Sequence, residues 1–286
     1  MRPNVTPIPE TLDSGKGPAV VFANSAVTDY TMFQPQIDAV AQYYRVIAHN
    51  TRSLTQRWAT PYTLWDLVEE WRGLLDDRGV ERAVLVGSSM GGYLALRFAL
   101  RYPERTAGLV LLATTAQDNT EDEVSTFLAK FNELAGQERM PVEWASWCST
   151  VLFSARAHAA QPDLVHGWLD RAVSLFPGEP FIEEARCWLL REDVTDRLGS
   201  IAAPALVLHG ADDGAIPVER ARPMAKLIPN AQMMVVEGAG HLVNLEAPDQ
   251  INDALLAFLG EVYGMSGKGH NPVPAYGRRG LEGRKW

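Results

Sequence analysis

Cysteine is scarce in this chain, with two in 286 residues. Cys148 and Cys187 have no metal-ligand spacing and cannot form a disulfide framework, so no metal is expected and both read as buried thiols in a reducing compartment. Long apolar runs are lacking as well. Nothing approaches the ~18 residues of a membrane span, and Met1-Arg-Pro-Asn-Val-Thr-Pro-Ile-Pro9 has no apolar core of a secretion signal. A soluble cytoplasmic protein with no membrane partner is the expectation. A basic surplus is missing too: 26 Lys and Arg face 35 Asp and Glu, for a net charge of −9. That speaks against nucleic acid or an anionic surface as partner. Gly15-Lys16 is followed by Gly17 where a phosphate-cradling loop needs Ser or Thr, so nucleotide binding is rejected. The charge is uneven. From Gly264 onward five basic residues (Lys268, Arg278, Arg279, Arg284, Lys285) face Glu282 alone, giving a +4 glycine-rich tail on a body of −13. A flexible or partner-docking segment is expected there.

What is present is alternation. Ala19–Ala23, Tyr44–Ala48, Arg82–Val86, Gly108–Leu112, Ala205–His209 and Gln232–Val236 are short, nearly continuous apolar runs, the pattern of strands buried on both faces. Helical patterns lie between them. Leu64, Leu67, Val68, Trp71, Leu74 and Leu75 form one stripe that ends before Gly79. Met90–Arg101 is apolar on more than one side, and Pro217–Leu227 and Pro248–Leu259 complete the set. Such alternation predicts an α/β fold, a mostly parallel central sheet flanked by helices. It breaks between 119 and 199, where β-branched runs give way to helical stretches and four tryptophans. The expected organisation is a core of residues 1–118 and 200–263, an inserted all-helical lid at 119–199, and the tail at 264–286.

Gly87-Ser-Ser-Met-Gly91 has the form G-x-S-x-G, directly after one predicted strand and before a predicted helix. That context is what a nucleophile elbow needs: a sharp turn projects Ser89 beyond the sheet, beside the positive end of the helix dipole. A serine hydroxyl needs a base. Of six histidines, His241 follows a strand through Glu237-Gly-Ala-Gly-His and shares the carboxyl edge of the sheet with Ser89. His49 and His209, at strand ends, read as packed; His158 and His166 lie in the insertion and His270 in the tail. A carboxylate must orient the imidazole. Asp213, in His209-Gly-Ala-Asp-Asp-Gly, is the choice and Asp212 the alternative; the chain order Ser–acid–His favours this assignment over simple turn chemistry.

These motifs resemble the α/β-hydrolase superfamily over residues 8–263. Phe22-Ala-Asn-Ser-Ala-Val-Thr-Asp29 with Met32-Phe-Gln-Pro-Gln36, and Val46-Ile-Ala-His-Asn-Thr-Arg52, are most similar to its 3-oxoadipate enol-lactonase branch. That resemblance implies an oxyanion hole from the backbone N–H groups of Ala26 and Met90, with Asn24-Ser25 where many members carry His-Gly. It also implies that Asn24 and Ser25 are candidates for substrate contact. Arg52-Ser-Leu-Thr55 departs from the branch pattern Arg-Gly-His-Gly, and with so short an N-terminus the usual first edge strand is expected to be absent. A carboxylated substrate, as the branch implies, needs a cation; Arg52, Arg57, Arg156 and Arg186 are the candidates. In the insertion Trp144, Trp147 and Trp168 are candidates to line an apolar pocket. The leading expectation is a serine hydrolase of a small ester or lactone, without cofactor, with a homo-oligomer left open. C–C bond hydrolases and cofactor-free perhydrolases share the triad. A non-catalytic ligand-binding protein is the reading from a different class.

Overall fold

The computed structural model describes residues 9–55 and 60–264. The predicted basic tail, apart from Gly264, therefore lies outside the described residues, as does Arg57. The strands are β1 (Thr11–Ser14), β2 (Ala19–Ala23), β3 (Arg45–His49), β4 (Ala83–Ser88), β5 (Thr106–Leu112), β6 (Ala205–Gly210) and β7 (Ala231–Val236). They form one sheet in the order β1-β3-β2-β4-β5-β6-β7. All neighbours pair parallel except β1, which runs antiparallel to β3. The sheet is therefore mostly parallel, as the alternation predicts.

Two differences from the sequence pattern are instructive. An edge strand does precede Ala19: Thr11–Ser14 pairs with Val46–His49. Its residues are half-buried or exposed, so no apolar run announces it. β7 reads as doubly buried in sequence but lies at the other edge of the sheet, with Gln232 exposed. Edge position, which only the strand order decides, explains both.

The helices are α1 (Gln34–Val40), α2 (Leu64–Asp77), α3 (Met90–Arg101), α4 (Glu121–Asn132), α5 (Val142–Leu152), α6 (Ala155–Ala160), α7 (Pro162–Leu175), α8 (Pro180–Leu189), α9 (Val218–Leu227), α10 (Val243–Glu246) and α11 (Pro248–Tyr263). Thr63 and Thr120 begin α2 and α4 with reciprocal capping boxes through Asp66 and Glu123, each satisfying two backbone donors that a helix start leaves open. Pro217 stands at the cap of α9 rather than inside it. α4 to α8 all lie between β5 and β6, so the helical insertion interrupts the sheet without adding a strand to it.

The topology places the site. β2 sits between β3 and β4 in the sheet, so the chain leaving β2 and the chain leaving β4 diverge. In open parallel sheets that divergence opens a crevice beyond the carboxyl ends of the strands, where ligands bind. Three non-glycine residues with positive φ stand on this edge, one after each of three strands: Val27 (57°), Ser89 (52°) and Ala113 (46°). Such backbone strain concentrates at sites whose surroundings over-determine it. No helix among the described residues is long and apolar enough to cross a membrane.

Candidate active site

Ser89 stands at the junction of β4 and α3 with φ 52° and ψ −113°. The turn is so tight that a Cβ on Gly91 would lie 2.1 Å from the Ala23 carbonyl oxygen, and one on Gly87 2.2 Å from that of Gly91. Both glycines are steric requirements of the elbow. Its backbone is clamped on each side: Ser89 N–H donates to Leu112 O (2.9 Å), and its own carbonyl accepts from Gly92 N–H, Tyr93 N–H and Thr114 Oγ1. The side chain faces a cleft that His241 also lines.

His241 Nδ1 lies 2.9 and 3.0 Å from the two carboxylate oxygens of Asp213. Asp213 Oδ1 also accepts the Ala215 and Ile216 N–H groups at 2.9 and 2.8 Å. Burial alone would raise the Asp213 carboxyl, but the charges and hydrogen bonds of His241 and His209 outweigh it and hold the group well below the usual carboxylate range. His209 is a partner that sequence alone did not reveal. It is fully buried, as expected of a strand-end histidine, yet its Nε2 lies 3.2 Å from Asp213 Oδ2 and 2.8 Å from Ile216 O. Asp212 bonds through its backbone N–H to Ala239 O and is exposed. Between Asp212 and Asp213, only the second meets the imidazole.

Across the cleft runs the turn after β2. Ser25 N–H goes to Met32 Sδ and Val27 N–H to Glu184 Oε1, which leaves Ala26 N–H between them uncommitted among the described residues. Met90 N–H is the first donor of α3, one of those a helix cannot satisfy internally. Ser25, Ala26 and Ser89 line the same cleft. Asn24 does not. Its Nδ2 donates to Thr28 O at 2.7 Å, and it borders a separate smaller cavity with Arg52 and Glu70. Arg52 pairs with Glu70, so neither Asn24 nor Arg52 faces Ser89. Arg156 lies beside Gly238 and Arg186 pairs with Glu183, neither of them on the cleft.

The insertion supplies the apolar wall. Trp147 and Trp188 face the cleft together with Phe127, Phe131, Val151 and Leu152. Trp144 stands behind them, edge-on to Phe131 and Trp147 at 5.1 and 5.4 Å between ring centroids, with its Nε1 donating to Lys130 O. Trp168 packs on Phe153 away from the cleft. Of the tryptophans expected there, Trp147 alone faces it; Trp144 and Trp168 are packing, and Trp188 takes the remaining place. Helical spacing could not separate these cases, because each of these tryptophans belongs to an apolar face.

Two buried carboxylates tie the insertion to the catalytic loops. Glu184 on α8 accepts from Val27 N–H at 3.2 Å and from Ser53 Oγ. Burial pushes its carboxyl upward against the lowering effect of those hydrogen bonds. Glu246 on α10 accepts from Gly240 N–H (3.1 Å), beside His241, and from Ser154 N–H and Oγ (3.0 and 2.6 Å) at the start of α6. His158 reaches Ser149 O, and His166 is exposed. Among the described residues no cluster of three or more His, Cys, Asp or Glu is placed to hold a metal.

The chain is similar in sequence and fold to known proteins. The family model described as alpha/beta hydrolase fold matches residues 18–248. The chain is 28% identical over 245 residues to 3-oxoadipate enol-lactonase 1 of Acinetobacter baylyi, covering 85% of this chain and 88% of that one. It is 33% identical over 192 residues, 66% of each chain, to a 2-hydroxy-6-oxononadienedioate/2-hydroxy-6-oxononatrienedioate hydrolase of Paraburkholderia phymatum. A thermophilic esterase from Thermogutta terrifontis superposes with a TM-score of 0.81 at 28% identity, over 88% of this chain and 93% of that one. With a strained serine after the β4 strand, a carboxylate-held histidine on the same cleft and a family match across most of its length, this chain belongs to the α/β-hydrolase fold family.

Proposed function

We propose that the protein is a serine hydrolase that cleaves a small ester or lactone through an acyl-enzyme. The observation that carries this reading is the shared cleft: Ser89, held in a strained turn, and His241, held by buried Asp213, line the same cavity. Ser89 Oγ attacks the carbonyl carbon while His241 takes its proton; Asp213 fixes the tautomer and stabilises the imidazolium. The tetrahedral oxyanion rests on the N–H groups of Ala26 and Met90, each such donor typically worth ~2.7–4 kcal/mol on the barrier. His241 returns the proton to the leaving oxygen, and water then attacks the acyl-enzyme with His241 again as base. In a lactone the leaving oxygen stays part of the acyl chain throughout, and the second step, which breaks the acyl–Ser89 bond, releases both together as one open-chain acid. Helices α4 to α8 act as a lid, walling the cleft against water.

The similarity to an enol-lactonase and to an esterase supports ester chemistry. The 2-hydroxy-6-oxononadienedioate/2-hydroxy-6-oxononatrienedioate hydrolase keeps C–C hydrolysis as a second reading, since it is the more identical of the two curated relatives named. The deciding experiment is a panel of short-chain aryl esters, lactones and ring-fission diketones run on wild type and Ser89→Ala. Ester or lactone turnover should fall by at least ~10⁴-fold in the variant, the scale of losing a triad member, with the far-ultraviolet spectrum unchanged. Retained turnover would refute Ser89 as nucleophile.

A further inference from the structure

Among the described residues one arginine lines the cleft, and it is occupied. Arg220, on α9, is the only lysine or arginine lining the cleft among the described residues. Its Nε donates to Gln117 Oε1 at 3.0 Å, its NH1 to Glu123 Oε1 at 3.0 Å, and its NH2 to Asp118 O. Glu123 lines the same cleft. Its other oxygen accepts from Thr120 N–H at 2.8 Å as the capping box of α4. The carboxylate is thus held at both oxygens, one by the start of its own helix and one by the guanidinium. Glu121 and Asp122 precede it in the same exposed first turn. Beyond Glu123 and the amide of Asn119, the insertion gives the cleft an apolar wall of rings and aliphatic side chains.

Resting on the nucleophile assignment above, we infer that the substrate is an uncharged ester or lactone with an apolar acyl part, and that Glu123 is the residue that excludes carboxylated ones. A substrate carboxylate entering this cleft would lose its water against rings that cannot replace it, and a buried charge is tolerated only when paired and hydrogen-bonded. The cation that lines the cleft among the described residues, Arg220, is already paired with a pre-positioned carboxylate. A second carboxylate would have to share the guanidinium with Glu123 and would meet its charge at close range. Discrimination then comes from a repulsive element built into the site as much as from the apolar wall. This specificity is the opposite of the one the enol-lactonase resemblance implies, a carboxylated substrate with Arg52, Arg57, Arg156 or Arg186 as anchor.

The test uses two 4-nitrophenyl esters of nearly equal shape, the 6-methylheptanoate and the hydrogen adipate, which differ in a terminal isopropyl group against a carboxylate. Wild type should favour the neutral ester by on the order of 100-fold in kcat/KM, the scale expected for a desolvated, unpaired carboxylate. Glu123→Gln keeps a capping-box side chain but removes the charge. It should raise kcat/KM for the adipate ester and narrow the ratio by at least ~10-fold, an advantage that fades with added salt. Glu123→Gln combined with Arg220→Met should lose that gain. A wild-type preference for the adipate ester, or a ratio unmoved by Glu123→Gln, overturns the inference while leaving Ser89 as nucleophile. If wild type turns over neither ester faster than Ser89→Ala, the hydrolase reading fails and the inference falls with it.

Discussion

The strand ends and the helical insertion meet at one cleft, yet different physics holds them there. On the sheet side the groups proposed to react are set by backbone. A positive φ at Ser89, two glycines without room for a Cβ, and the N–H groups around Asp213 leave little freedom. On the insertion side the cleft is made of ring packing, tied to the sheet side by dispersed links: Glu184 and Arg171 to the turn after β2, and the Glu246–Ser154 bonds and the Leu242 N–H to Leu152 O bond at the His241 loop. The proposed chemistry falls where backbone geometry is local and rigid. The proposed selectivity falls where side chains from distant helices are brought together, a part of the molecule that can vary without dismantling the strand-end turns.

The comparison can be broken most severely at Asp213. Asp213→Asn should reduce kcat by ~10⁴-fold through loss of the correct histidine tautomer, whereas Asp212→Asn should stay within a few-fold; steady-state kinetics on both variants would expose a reversal. The next largest effect separates the tryptophans. Trp144→Ala should cost ~3–5 kcal/mol of stability by opening a cavity behind the wall, with kcat/KM per folded molecule largely kept. Trp188→Ala should instead act mainly by raising KM. Urea unfolding beside kinetics decides it, and identical behaviour of the two variants would remove the distinction between wall and support. Smaller still is Glu246→Ala, which strands the buried Gly240 and Ser154 donors at ~1–3 kcal/mol for such a loss. Because one of those donors adjoins His241, kcat should fall together with the unfolding midpoint.

The smallest effect is a pH dependence at Glu184. Its folded-state carboxyl is raised above the ordinary 4.5, chiefly by burial. The protonated form is thus favoured by folding, and the stability it contributes is present below that value and lost as pH rises through the folded-state value. Glu184→Gln removes this proton linkage. Wild type should therefore lose stability relative to the variant as pH climbs from about 4.5, read from unfolding midpoints at several pH values. Parallel profiles would show that the insertion's link to the turn after β2 carries no such linkage.

Much of the sheet side was legible because its rules are short-range. Ser89 sits in a five-residue pattern between a strand and a helix, and Asp213 and His241 each follow an apolar run within a few residues. Their meeting then follows from the parallel order of the strands. The insertion obeyed no such rule. Trp144 and Trp147 sit one turn apart on the same helix, and only packing against Phe131 and Trp188 decided which of them faces the cleft. Likewise Arg52 and Arg220 are equally plain arginines in sequence. Glu70 draws the first away to another cavity, while the second arrives at the cleft from a helix beyond β6.

Residue patterns alone were enough for an α/β chain with Ser89, Asp213 and His241, the groups proposed as nucleophile, acid and base, each just after an apolar run, because strand periodicity, tight-turn sterics and chain order act over a few residues. Only the tertiary structure decided the edge strand at Thr11–Ser14, the role of His209 beside Asp213, the two carboxylate links and the occupied arginine of the cleft. Each of these depends on burial or a partner that folding supplies.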